Sequence, residues 1–184
     1  DEIDRLREEL KRLIDKDKTD LDRVRKENEE SIRDDERKLR EVEKELRDLI
    51  EEIRRKAKER NIEEEIMRRL DEKLKKLERD LEEVKKKNET NARENRKELE
   101  RVIEKNKEDA DRLRRELDEV ARDEDRRVLE EVARKIRELI RRSEKHSEDV
   151  MEKVRRNDER SKRHTEDVTR KIRTEIEKID RELE

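Results

Sequence analysis

The apolar residues of this chain recur with a period of 18, and that period limits the possible folds more than any other feature. Ile3, Leu6, Leu10, Leu13, Ile14 and Asp17 return as Leu21, Val24, Asn28, Ser31, Ile32 and Asp35, and again as Leu39, Val42, Leu46, Leu49, Ile50 and Ile53. Within each set, apart from the adjacent pairs Leu13-Ile14, Ser31-Ile32 and Leu49-Ile50, the steps are threes and fours, so the side chains fall on one stripe of an α-helix. At 3.6 residues per turn the period is about five full turns, and the stripe returns to the same face. A seven-residue repeat would impose a left-handed supercoil; this one does not. The pattern predicts long, nearly straight helices.

The pattern is interrupted twice. The first helix is expected over about 2–59. The next series runs Ile66, Leu70, Leu74, Leu77, Leu81 and Val84, then Asn88, Ala92, Asn95, Leu99 and Val102, then Asn106, Ala110, Leu113 and Leu117. It has slipped one residue out of phase, a rotation of about 100° that calls for a turn. Asn61 with Glu64 reads as a capping box opening a second helix over about 62–121. The second break falls at Ala121 to Arg127, where Asp123 or Asp125 can cap a third helix over about 126–183. Leu129, Val132, Ile136, Leu139, Ile140 and Ser143 open that third series, back in register with the first. Three helices of similar length joined by short turns pack antiparallel. The expected fold is all-α: a single-chain antiparallel three-helix bundle over 1–184, with helices about 85 Å long at 1.5 Å per residue.

With 65% charged and 26% hydrophobic residues the chain could be taken for a disordered one. However, 58 basic residues nearly cancel 61 acidic ones, and the apolar residues are periodic, which fits a long helix or coiled coil. There is no cysteine, so disulfides, thiolate metal sites and cysteine nucleophiles are excluded. No apolar run suits a signal peptide or a membrane span, and the expected location on recombinant expression is cytosolic. The balanced charge offers no basic field for nucleic acid. Met67, Ile103, Leu129, Ala133 and Met151 widen the stripe, as each helix must touch two neighbours.

Polar residues interrupt the stripe at heights that agree. Folding on the two turns brings helix one to helix two where residue numbers sum to about 122, and helix two to helix three where they sum to about 249. Asp17, Asn106, Ser143 and His146 then coincide, as do Asp35, Asn88, Ser161 and His164, with Asn28, Ser31, Asn91, Asn95 and Asn157 between them. Ser143, His146 and Ser147 recur as Ser161, His164 and Thr165. A buried polar group without a hydrogen bond costs about 1–3 kcal/mol, so such residues need partners at their own height. Asp accepts, Asn donates and accepts, and Ser and neutral His can do either. The residues are therefore expected to form buried polar networks that penalise wrong registers and wrong partners.

Other chemistry is weakly supported. Ser143, His146 and Asp17, like Ser161, His164 and Asp35, are the residue types of a hydrolytic triad. No oxyanion hole, substrate pocket or nucleophile turn accompanies them, so no enzyme is expected. One histidine per layer and no Glu-x-x-His motif argue against a metal, and no cofactor or small-molecule substrate is implied. Protonation of the histidines would place charge in the core, so a pH response is an alternative. His146 can also be read as facing water at the edge of its stripe.

Taken together, the repeat of Leu, Ile and Val, the absence of Gly, Pro and aromatics, and the layers of Asn, Ser, His and Asp resemble computationally designed (de novo) helical bundles with buried hydrogen-bond networks. The resemblance is one of style and covers the whole chain. It implies a structural scaffold with no natural biochemical function, monomeric, whose polar layers specify helix register and pairing. The alternatives it leaves are a self-associating or heteromeric interaction bundle and a pH-responsive one.

Overall fold

The computed structural model describes residues 2–122 and 126–183. α1 spans Glu2–Arg60, α2 Glu64–Arg122 and α3 Arg126–Glu182, and the three pack against one another as an all-α three-helix bundle. α1 and α2 open on acidic residues (Glu2 and Asp4; Glu64 and Glu65) and close on basic ones (Lys58 and Arg60; Arg122). Each such charge favours the helix dipole by about 0.3–1 kcal/mol.

The chain divides into two compact units, Asp1–Asn28 with Arg93–Arg156 and Glu29–Ala92 with Asn157–Glu184. Each draws on all three helices. In the first unit Arg7 meets Asp118 at 2.9 Å and Asn95 donates to Asn28 at 3.2 Å, so α1 and α2 run in opposite directions. Arg155 meets Glu27 at 3.2 Å and Lys16 lies 4.0 Å from Glu144, so α1 and α3 run the same way. The core of this unit comprises one cluster around Leu6, Leu10, Leu113, Leu117, Val132 and Ile136, and another of Leu21, Val24, Leu99, Val102, Val150 and Val154.

In the second unit Lys38–Glu166 and Arg173–Glu45, both at 3.1 Å, align α1 with α3 in the same sense. Its core joins Leu39, Val42, Leu46, Leu49 and Ile53 to Leu70, Leu74, Leu77, Leu81 and Val84, and both rows to Ile172, Ile179 and Leu183. Nearly all of these are stripe positions. Fully burying one such side chain contributes about 1.5–3 kcal/mol, whereas an exposed ion pair contributes about 0–1 kcal/mol. Apolar burial holds each unit together, and the charged surface adds little.

The first turn corrects an expectation. Asn61 does not cap α2. Its φ of 46° is left-handed, and it follows the last residue of α1. An N-cap needs extended backbone, whereas the left-handed position after a helix takes Gly or, failing that, Asn. α2 begins later, its first backbone bond running from the Met67 amide to the Glu63 carbonyl at 3.1 Å. Arg60 donates from Nη1 to the Leu183 carbonyl at 3.1 Å, satisfying a carbonyl at the end of α3. Asn61 thus does what glycine does elsewhere, in a chain that has none. Asn61→Val is expected to cost about 1–2 kcal/mol, because a β-branched side chain clashes at positive φ, while Asn61→Gly is close to neutral. Guanidinium unfolding of the two variants checks this, and equal effects would count against a left-handed Asn61. The capping role considered for Asp123 or Asp125 lies outside the described residues.

Candidate functional site

The interior polar residues form a separate group in each unit. In the first, Asp17 is 6% exposed and Ser143 and Ser147 are 6% and 2% exposed. Asn106 joins them. Its Nδ2 donates to Asp17 Oδ2 at 3.1 Å and to Ser147 Oγ at 2.9 Å, and its Oδ1 accepts from Ser143 Oγ at 3.3 Å. One amide therefore ties α2 to both other helices. The same unit holds Asn28 and Asn95, both completely buried, with the Asn95 amide donating to Asn28 Oδ1.

In the second unit Asn88 takes the role of Asn106. Its Nδ2 donates to Thr165 Oγ1 at 2.9 Å, and its Oδ1 accepts from Ser161 Oγ at 2.8 Å. Ser161 Oγ also lies 3.4 Å from Oδ2 of Asp35, which is 4% exposed. Nearby, Asn91 donates to the Asn157 backbone carbonyl at 3.2 Å. Ser31 is half-buried, and its side chain makes no hydrogen bond among the described residues.

The histidines do not belong to these groups, which corrects the expected network. His146 is exposed and His164 is only half-buried, and neither imidazole makes a hydrogen bond among the described residues. His164 instead lines a groove of about 310 Å³ between α2 and α3, beside Lys87, Asn91, Asn157 and Arg160. Their places are taken by Ser147 and Thr165. Helical geometry explains this: relative to Ser143, Ser147 lies about 40° round the helix and Val154 about 20° in the same sense, whereas His146 lies about 60° the other way. The 18-residue repeat contained that signal, since Ser147 and Thr165 recur with the rest. Neither set of triad types is assembled: the Ser143 hydroxyl and the Asp17 carboxylate both bond to Asn106, and although Ser161 reaches Asp35, no imidazole joins either pair.

Electrostatics single out the two acids. Burial pushes the Asp17 carboxyl up to about 6, helped by repulsion from Glu144 and Asp20 and opposed by Lys16. Burial also raises Asp35, against the hydrogen bond from Ser161 and the attraction of Lys38. On the surface the order reverses: Lys85, 2.8 Å from Glu43, holds that carboxyl below its ordinary value. Among the described residues no three His, Cys, Asp or Glu side chains are grouped to hold a metal ion. Among the described residues no helix is long and apolar enough to cross a membrane. What the arrangement can do chemically is exchange hydrogen bonds, and in two places a proton, inside an apolar core. Comparisons with protein families, with curated proteins and with solved structures find no match to this chain.

Proposed function

We propose that the chain is a designed, monomeric structural scaffold, and that its interior polar groups specify which faces of the three helices meet and in what register. The observation that carries this reading is the pair of hub asparagines. Asn106 serves Asp17 on α1 and both Ser143 and Ser147 on α3, and Asn88, one 18-residue period away, serves Ser161 and Thr165 in the same manner. Such groups contribute little net stability when satisfied. A helix displaced by a turn or two would leave several of them buried without partners, at about 1–3 kcal/mol each. Three stripes of interchangeable Leu, Ile and Val do not otherwise distinguish one register from another.

Replacing Asp17, Asn106, Ser143 and Ser147 together by Leu, Leu, Ala and Ala tests the proposal. The variant is expected to resist guanidinium at least as well as the parent, because apolar replacements of buried polar sets are often neutral or stabilising by about 1–4 kcal/mol. It is also expected to lose uniqueness, with duplicated amide resonances and light-scattering masses above the 23.0 kDa of one chain. A variant that stays a single monomeric species with one set of resonances would sink the register role. A parent whose mass rises with concentration would favour self-association instead.

A further inference from the structure

The hydrogen atoms of the second unit's polar group can be counted. Ser161 has one hydroxyl hydrogen and two acceptors within reach, Asn88 Oδ1 at 2.8 Å and Asp35 Oδ2 at 3.4 Å. Asn88 Nδ2 donates onward to Thr165 Oγ1, and Asp35 Oδ1 is buried with no partner. Among the described residues Asp35 forms no ion pair. With Asp35 ionised, the single Ser161 hydrogen must choose. Turned to Asp35, it leaves the half-buried Asn88 carbonyl to the groove that Asn88 and Ser161 line; turned to Asn88, it leaves a buried carboxylate with no donor at all. With Asp35 neutral the conflict disappears, because its hydroxyl donates to Ser161 Oγ, Ser161 to Asn88 Oδ1, and Asn88 to Thr165. The Asp35 hydroxyl, the Ser161 hydroxyl and one Asn88 amide hydrogen then each have one acceptor.

We propose that Asp35 takes up a proton within the folded bundle more readily than an exposed aspartate does and that this proton closes the polar group of the second unit, so that the unit gains stability as the pH falls. Of the charges around Asp35 the two lysines favour its ionised form and Asp34 opposes it, and burial outweighs them. On α1 they are Asp34 and Lys38, on α3 Lys162, and α2 contributes the uncharged Asn88. Lys38 is itself engaged by Glu166 at 3.1 Å. Asp17 is the counterpart in the first unit, where Glu144 of α3 and Asp20 of α1 add negative charge, Lys16 opposes them, and α2 contributes the uncharged Asn106. The response has the opposite sign to one built on histidine, in which acid would charge the core.

Burial raises both acids in the folded state, Asp17 to about 6. A raised folded value contributes stability that is fully present below the ordinary aspartate value of about 3.9 and is lost as pH rises through the folded value. For Asp17 the folding equilibrium constant should rise about tenfold between pH 8 and pH 5.

Two measurements on the full chain test the proposal. In a carbon-13 titration of the aspartate carboxyls, Asp35 is expected to titrate above the ordinary range, and a midpoint at or below about 3.9 would overturn it. In guanidinium unfolding, Asp35→Asn carries a permanent donor where the proton would sit. It is expected to be more stable than the parent at pH 8, with the advantage shrinking as the pH falls. An Asn variant no more stable than the parent at pH 8 overturns the proposal, as does loss of the pH dependence in a His146→Gln, His164→Gln double variant. Should Asp35→Asn fail to fold, the titration of the parent still decides.

Discussion

Truncating Ile136 to alanine is expected to lower folding stability by about 2–5 kcal/mol. Ile136 is completely buried in the cluster that holds Leu6, Leu10, Leu113, Leu117 and Val132, drawn from all three helices. Removing its outer carbons forfeits their burial and leaves a cavity that the facing leucines can only partly fill. Ile140, one turn further along α3, is only half-buried against the same cluster and should cost less when truncated. Guanidinium unfolding followed by circular dichroism compares the two. Equal losses, or a loss under about 1 kcal/mol at Ile136, would mean that α3 does not present this face to the core.

Replacing Asn106 by leucine should cost about 2–3 kcal/mol at pH 8, even though leucine is the more apolar residue. The substitution deletes the amide that donates to Asp17 and Ser147 and the carbonyl that accepts from Ser143. Asp17 would remain as a buried carboxylate without its donor, and that loss dominates because hydrogen bonds to charged groups are the stronger ones. The deficit should shrink towards pH 5. The Asp17 carboxyl, raised to about 6 by burial, takes up a proton over that range and no longer buries a charge. Adding Asp17→Leu should recover the part of the loss that comes from the stranded carboxylate, while Ser143 and Ser147 still lack the Asn106 amide. A double variant no better than Asn106→Leu alone would show that the amide supports the unit in some other way. Measured as a thermodynamic cycle at pH 8 and pH 5, the coupling between the two positions is expected to be larger at pH 8.

Much of the architecture is readable along the chain because its signal is local and repeated. Leu6 and Leu10 or Leu113 and Leu117 declare a buried helical face through spacing alone, and one period recurs in all three helices. The heights of Asp17, Asn106 and Ser143 follow from where the pattern breaks, since the turns set the pairing of helices and pairing sets what lies opposite what. By contrast, the capping role first read into Asn61 is wrong for a reason the local sequence hides. Asn suits both an N-cap and a left-handed C-terminal position, and with no glycine present the end of α1 has the stronger need.

The sequence by itself thus determined the helices, their buried stripes and the heights of the polar residues, because 3.6-residue periodicity fixes where a side chain points on its own helix. The tertiary structure alone decided which polar neighbours share hydrogen bonds. His146 and Ser147 are adjacent in the chain and both polar, yet one is exposed while the other receives the Asn106 amide. The difference is the direction of approach of α2, about 100° of rotation separating neighbouring residues on a helix. Packing likewise settled the charge of the core. Asp17 and Asp35 resemble the chain's many other acids in sequence, and it is chiefly their enclosure by two other helices, without an ion-pair partner, that raises their affinity for a proton.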